Sequence, residues 1–316
     1  MNTSQSLFEG VVVLIAIIFV AIVLKKLGIL KKELSLTLSH IVLYITLPAV
    51  IFSSLALKEF NAAFLSMSII MALIELIILI LAWLIATLLK YPAGKKGALM
   101  LVSAFGMTAF LGYPIIRQAF PSNPLAMEEA VITSEIGVGL LLFILGPMIA
   151  MYFGKSKLEG KNILSSTKTF FTSPIFFAII GGIAVSFIPF NHHTVTYTIV
   201  FRFFKIVGDA NMLLVAFTIG LIFELKDTKN IALFVAIAVV LKLILKPVFA
   251  LWFTDNAMFT EMMREIVFIE TALPSAILTA VYAKKYDCEP ELVSSTIMIS
   301  LIISIISVSA SFMLFF

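Results

Sequence analysis

The sequence predicts an all-α integral membrane protein. Ten transmembrane helices are expected, as two inverted five-helix repeats with broken helices crossing at spans 4 and 9. Three observations predict this. The 316 residues are 61% hydrophobic and 13% charged, against about 45–50% and about 25% in soluble domains. Apolar runs long enough to span a bilayer, about 20 residues, recur ten times with short polar loops between them. Prolines interrupt such runs in both halves of the chain, Pro114 in FLGYPIIRQAF and Pro274 in ETALPSAILTA.

The ten runs cover 7–24, 34–57, 62–89, 97–119, 128–153, 170–188, 197–223, 231–253, 262–283 and 291–316. A chain this apolar uses lipid as its solvent, so its backbone groups must pair within helices or a closed barrel. Alternating ten-residue segments, the mark of a barrel, do not occur. The first run is too long for a signal peptide and lacks a small-residue cleavage site. A single cysteine, Cys288, excludes an internal disulfide.

Lysine and arginine set the orientation. Alternate loops hold Lys25, Lys26, Lys31 and Lys32; Lys90, Lys95 and Lys96; Lys155, Lys157, Lys161 and Lys168; Lys226 and Lys229; Lys284 and Lys285, 15 of the 22 basic residues. The other side holds Lys58, Arg117, Arg202, Lys205 and Arg264. Both termini are therefore expected outside a plasma membrane, with the lysine-rich loops in the cytoplasm. The net charge of +4 reads as a topology signal, and no nucleic-acid partner is expected.

Pro114 and Pro274 stand 160 residues apart, about half the chain. The same offset carries Pro48 onto Gly208, and Thr133-Ser134 onto Val293-Ser294. The expected repeats are 1–160 and 161–316. Each holds an odd number of spans, so the second enters the membrane inverted. Interrupted helices at matching places in inverted repeats point to a secondary transporter and its binding site. A break frees backbone groups, which lipid tolerates only beside protein or water. Half-helix N-termini at such a break favour an anion.

LPAVIFSSLA in span 2, FLGYPI in span 4 and ALPSAILTAVYAKKYDCEPELVSSTIMIS across spans 9 and 10 resemble the auxin efflux carrier family, over essentially the whole chain. That family includes plant carriers and bacterial transporters of malonate or malate. The resemblance implies a fold like bile-acid sodium symporters. It implies a scaffold of spans 1, 2, 6 and 7 and a mobile transport domain of spans 3–5 and 8–10. It further implies elevator-type alternating access and a homodimer through the scaffold. Members often carry an asparagine just before the Gly-x-Pro of span 4, where this chain has Met107 and Thr108. ETALP is similar to the glutamate-bearing crossover of bile-acid symporters, where the glutamate helps to bind sodium.

Ionisable residues inside lipid are costly and are functional candidates by default. Glu270 leads, beside Thr271 and one turn before Pro274. It can carry a proton, complete a sodium site with hydroxyls such as Thr133 and Ser134, or pair structurally with a lysine. Glu135 and Lys242 join the ion-coupling candidates. Lys242 and Lys246 share a helix face and could neutralise Glu270, Glu135 or Glu75, although Lys246 could equally snorkel outward. Candidate substrate contacts are Thr108, Gly112, Tyr113, Pro114, Arg117, Asn211, Thr271, Pro274 and Ser275, with Asp209 next to Asn211. A guanidinium such as that of Arg117 clamps carboxylates. His192 and His193 read as a solvated loop pair. No cofactor is implied beyond H+ or Na+ as coupling ion.

No Walker A, HExxH or GxSxG pattern occurs, so neither an ATPase nor an enzyme is expected. The expected function is secondary transport of a small organic anion, a mono- or dicarboxylate such as malate or malonate, by proton or sodium coupling. An uncoupled anion uniporter and an auxin-like aromatic acid exporter are the alternatives. A membrane receptor is the least favoured, because it would need an output domain.

Overall fold

The computed structural model describes residues 3–56, 62–154, 171–188, 195–223, 231–255 and 258–316. Lys58, Lys155, Lys157, Lys161, Lys168, Lys226 and Lys229, used above for topology, and the loop pair His192 and His193 lie outside the described residues. The helices are α1 (Thr3–Lys26), α2 (Leu34–Ala56), α3 (Ala62–Leu88), α4 (Ala93–Ala104), α5 (Tyr113–Ala119), α6 (Pro124–Ile132), α7 (Leu140–Phe153), α8 (Pro174–Ser186), α9 (Val195–Asp209), α10 (Asn211–Ile222), α11 (Ala232–Thr254), α12 (Glu261–Ala272), α13 (Ile277–Lys285) and α14 (Pro290–Phe315).

Among the described residues, six helical stretches are long and apolar enough to cross a membrane unbroken: Thr3–Lys26, Leu34–Ala56, Leu65–Leu88, Leu125–Phe153, Thr198–Ile222 and Ala232–Thr254. The bent α14 makes a seventh. Helix α8 is apolar but shorter. The runs 97–119 and 262–283 are not continuous helices at all. Large apolar side chains such as Phe19, Ile80, Phe177, Trp252 and Leu314 point outward, as lipid-facing surfaces require.

Helix ends follow local chemistry. Ser173 caps α8 by accepting from Phe176 N at 3.1 Å, with Pro174 in the first turn. Thr260 caps α12 by accepting from Met263 N at 3.3 Å, with Glu261 beside it. Both are N-cap arrangements that satisfy free amides. Helix α1 stops at Gly28, whose φ of +73° belongs to the left-handed region that glycine enters without a Cβ penalty.

Three prolines, among them Pro114 that the sequence marks as a break, do not break their helices. Wider π-turns occur at Val42–Thr46, Thr108–Gly112 and Val240–Leu245. Pro48, Pro114 and Pro247 each follow two residues after such a turn. A proline ring clashes with the carbonyl four residues back. Here those residues, Tyr44, Phe110 and Leu243, lie inside the π-turns, where the widened ladder makes room. A fourth π-turn covers Thr133–Gly139.

The chain forms two compact units. The first comprises Met1–Ala62, Tyr113–Val131 and Thr169–Phe223; the second comprises Ala63–Gly112, Ile132–Lys168 and Glu224–Phe316. In the first, α8 packs on α2 through Gly182, whose missing Cβ would meet Leu55 Cβ at 2.8 Å. Helix α10 packs on α1 through Gly220, where a Cβ would meet Ile18 O at 2.7 Å. Small residues allow such close backbone approach between membrane helices.

In the second unit the break of the fourth run lies at Phe105–Met107, not at Pro114. Phe105 is extended (φ −76°, ψ 126°), as are Leu273 and Ala276. The two extended segments pair antiparallel at Gly106 and Ser275. Met107 N donates to Pro274 O at 2.9 Å, and Ala276 N donates to Phe105 O at 2.9 Å. Each break thus satisfies groups that the other frees, as a low-dielectric interior demands. Helices α4 and α12 both have 12 residues. Their starts, Ala93 and Glu261, and their ends, Ala104 and Ala272, lie 168 residues apart. Gly106 and Pro274 each lie two residues past the end of their helix, a spacing of 168 beside the 160 between Pro114 and Pro274.

Candidate functional site

Four fully buried charged side chains gather in the second unit: Glu75 on α3, Lys242 and Lys246 on α11, and Glu270 on α12. Lys246 Nζ lies 2.5 Å from Glu75 Oε1 and donates to Ala104 O at 2.7 Å. Ala104 ends α4, so its carbonyl is one that the break leaves without a helical partner. Lys242 Nζ approaches the same carbonyl at 3.4 Å. It also stands 2.9 Å from where a Cβ on Gly106 would be, so this glycine lets an ammonium pack on the broken backbone. Lys246 does not snorkel outward. Its ammonium has a carboxylate and a freed carbonyl within the unit.

Glu270 differs from Glu75. Both of its carboxyl oxygens are buried and, among the described residues, without a hydrogen-bond partner. The charged groups acting on it are Glu135, Lys246, Glu75 and Lys242. A buried, unsatisfied carboxylate is expensive, so this one needs a proton or a cation to balance it. Thr271, next to it, spends its hydroxyl on the backbone of its own helix, on Phe268 O at 2.8 Å and Val267 O at 2.9 Å. Thr133 Oγ1 is buried and unpartnered. Ser134 Oγ donates to Thr108 Oγ1 at 2.5 Å, which joins the fifth run to the π-turn of the fourth. Ser275 Oγ donates to Val102 O at 2.5 Å, and Ser275 N donates to Ser300 Oγ at 3.2 Å. Both contacts pin the break. At Gly112 a Cβ would meet Leu273 Cδ1 at 2.9 Å.

Of the expected substrate contacts, Thr108, Gly112, Thr271, Pro274 and Ser275 belong to the second unit, as do Thr133, Ser134, Glu135, Lys242 and Glu270. Tyr113, Pro114, Arg117 and Asn211 belong to the first. There they line a cavity of about 240 Å³, together with Val50, Gln118, Met127, Gly208, Asp209 and Met212. Arg117 Nη2 is bonded to Asp209 Oδ1, and both side chains are partly exposed. Asn211 Oδ1 accepts from Thr46 Oγ1 at 2.8 Å. Sequence reasoning named Arg117 and Asp209 separately and missed the pair, because 92 residues separate them. It likewise offered Glu75 as one of three partners for the lysines. The signal available was that each is an ionisable group within an apolar run.

Nearly the whole chain matches transporter sequences. A family model described as membrane transport protein covers residues 6–312. An uncharacterized transporter of Methanocaldococcus jannaschii is 27% identical over 305 residues, spanning 95% of this chain and 96% of its own length. Another, of Methanothermobacter thermautotrophicus, is 26% identical over 306 residues, 95% of each chain. With its apolar spanning helices and buried charges, the chain belongs to the membrane transport protein family, which is the auxin efflux carrier family, and is a multi-pass membrane transporter, not an enzyme.

Proposed function

We propose that the protein is a secondary active transporter of a small organic anion, a mono- or dicarboxylate such as malate or malonate, coupled to protons or sodium with protons favoured. The observation that carries this is Glu270, a fully buried carboxyl with no hydrogen-bond partner, beside the paired breaks. Ionisable groups held inside a membrane mark ion pathways and proton relays, and this one has no bonded counter-charge among the described residues. Thr133, Ser134, Glu135 and Lys242 surround the coupling role, and Tyr113, Pro114, Arg117 and Asn211 serve the anion.

The proposed architecture is ten spans in two inverted five-span repeats. The 168-residue spacing of α4 and α12 supports it, with each helix followed by an extended break. The first compact unit holds the runs assigned to a scaffold, spans 1, 2, 6 and 7, which supports elevator-type alternating access. A homodimer in the plasma membrane, with both termini outside, completes the reading.

The test is uptake of labelled malate or malonate into proteoliposomes under an imposed pH gradient, with a sodium gradient alongside. Uptake should follow one gradient and vanish with Glu270→Gln. Gradient-driven uptake that survives Glu270→Gln would sink the coupling role.

A further inference from the structure

We propose that the cavity of the first unit is a carboxylate seat occupied here by the protein's own Asp209, and that a monocarboxylate with an apolar body displaces it. The proposal rests on the transport reading and narrows its substrate class from mono- or dicarboxylates to monocarboxylates, with dicarboxylates such as malate and malonate the weaker ligands.

The cavity holds one cation, Arg117, and one anion, Asp209, and they are bonded to each other. Asp209 therefore mimics the ligand that a guanidinium fork receives best, a carboxylate. Its grip is light. Arg117 and Asp209 make a single bond through Nη2 and Oδ1, and their side chains are 40% and 50% exposed. Ion pairs this hydrated are weak and exchange easily. Among the described residues the rest of the guanidinium fork has no partner, so an incoming carboxylate can engage it in bidentate fashion while Asp209 swings into water. A second donor is already aimed. Asn211 Oδ1 accepts from Thr46 Oγ1, which holds the side chain in place, so its amide N–H groups are left for the cavity it lines. A carboxylate bridged by Arg117 and Asn211 satisfies both.

The remaining walls set the body of the ligand. Val50, Tyr113, Pro114, Met127 and Met212 are apolar or aromatic, methionine adapts to irregular apolar shapes, and the polar Gln118 donates its amide to Met212 Sδ at 3.6 Å. With Arg117 engaged, the lining offers no second cation. The second carboxylate of a dicarboxylate would meet apolar wall and the negative charge of Asp209. Rejection by an unpaired like charge is how such sites discriminate. The volume of about 240 Å³ lies below the roughly 300–1,000 Å³ of pockets for drug-sized ligands, so the fitting anion is compact.

The experiment is direct binding to the purified full-length protein in detergent, by calorimetry and by thermal shift, with isovalerate and malonate as probes. Isovalerate should bind saturably and malonate about tenfold more weakly. Asp209→Asn, which removes the resident competitor, should tighten isovalerate about threefold and reduce the penalty on malonate. Asp209→Glu, which keeps the competitor, should bind like the parent. Arg117→Met should lose isovalerate binding, and Arg117→Lys should recover only part of it. Equal or tighter binding of malonate, no binding of isovalerate, or unchanged affinity in a folded Asp209→Asn variant would overturn the seat. Binding is read without transport, so the two readings fail separately. Isovalerate binding with no gradient-driven uptake of any carboxylate sinks the transport reading alone. Gradient-driven uptake with no effect of Asp209→Asn on binding sinks the seat alone.

Discussion

Lys246 and Glu75, 171 residues apart in sequence, form an ion pair in which neither side chain reaches solvent. Removing one partner strands the other charge, which costs about 3–5 kcal/mol, whereas replacing both with apolar residues of similar size can be neutral. Lys246→Met and Glu75→Gln should each sharply lower the thermal midpoint of the purified protein. The double variant Glu75→Leu/Lys246→Leu should recover most of the loss. A double variant as unstable as the sum of the singles would show that the pair is not a coupled unit.

The glycine at the paired breaks is equally specific. A methyl on Gly106 would stand 2.9 Å from Lys242 Nζ, and that space is already filled. Overpacking of this kind costs about 1–3 kcal/mol. Gly106→Ala should therefore lower the midpoint and slow uptake, and adding Lys242→Ala should restore the midpoint in part. Equal midpoints for Gly106→Ala and the parent would mean that the ammonium moves away freely.

Cys288 lies in the turn between α13 and α14, outside the spanning runs, with Sγ 3.5 Å from Gly94 O. Burial, with lesser contributions from Glu289 and Asp287, pushes its thiol from the usual 9.0 up to about 12. The raised value means less thiolate at every pH below 12, and the thiolate is the reactive form. Alkylation by a small maleimide at pH 8 should be slower than for an exposed thiol by about a thousandfold. It should keep accelerating, by about tenfold per pH unit, up to pH 11. A rate that levels off near pH 9 would mean an exposed, ordinary thiol.

What the sequence made legible followed from lipid alone. Spans announce themselves because a bilayer accepts only long apolar helices, and Glu270 announces itself because a carboxylate there is costly. The break at Phe105–Met107 was hidden. FGM contains no proline, and Pro114 drew the attention instead. Whether a proline breaks a helix depends on the turn before it, and the π-turn at Thr108–Gly112 has no proline-like signature of its own. Pairings were hidden for another reason. Arg117 and Asp209, or Lys246 and Glu75, are each visible as candidates, but their partners are chosen by the tertiary packing within each unit and not by spacing along the chain.

The π-turns bear on how sequences of this kind can change. A π-turn is an α-helix carrying one additional residue, so each proline that follows one belongs with that residue as a matched pair of changes. Deleting a single residue from Val240–Leu245 would restore a plain helix while leaving Pro247 to clash. The helix on either side would keep its phase, so the cost would fall on the proline ring and the carbonyl four residues before it. One-residue deletions here should be purged in descent although they fall in apolar sequence where almost any side chain would pass, and the proline and its π-turn should be inherited or lost together.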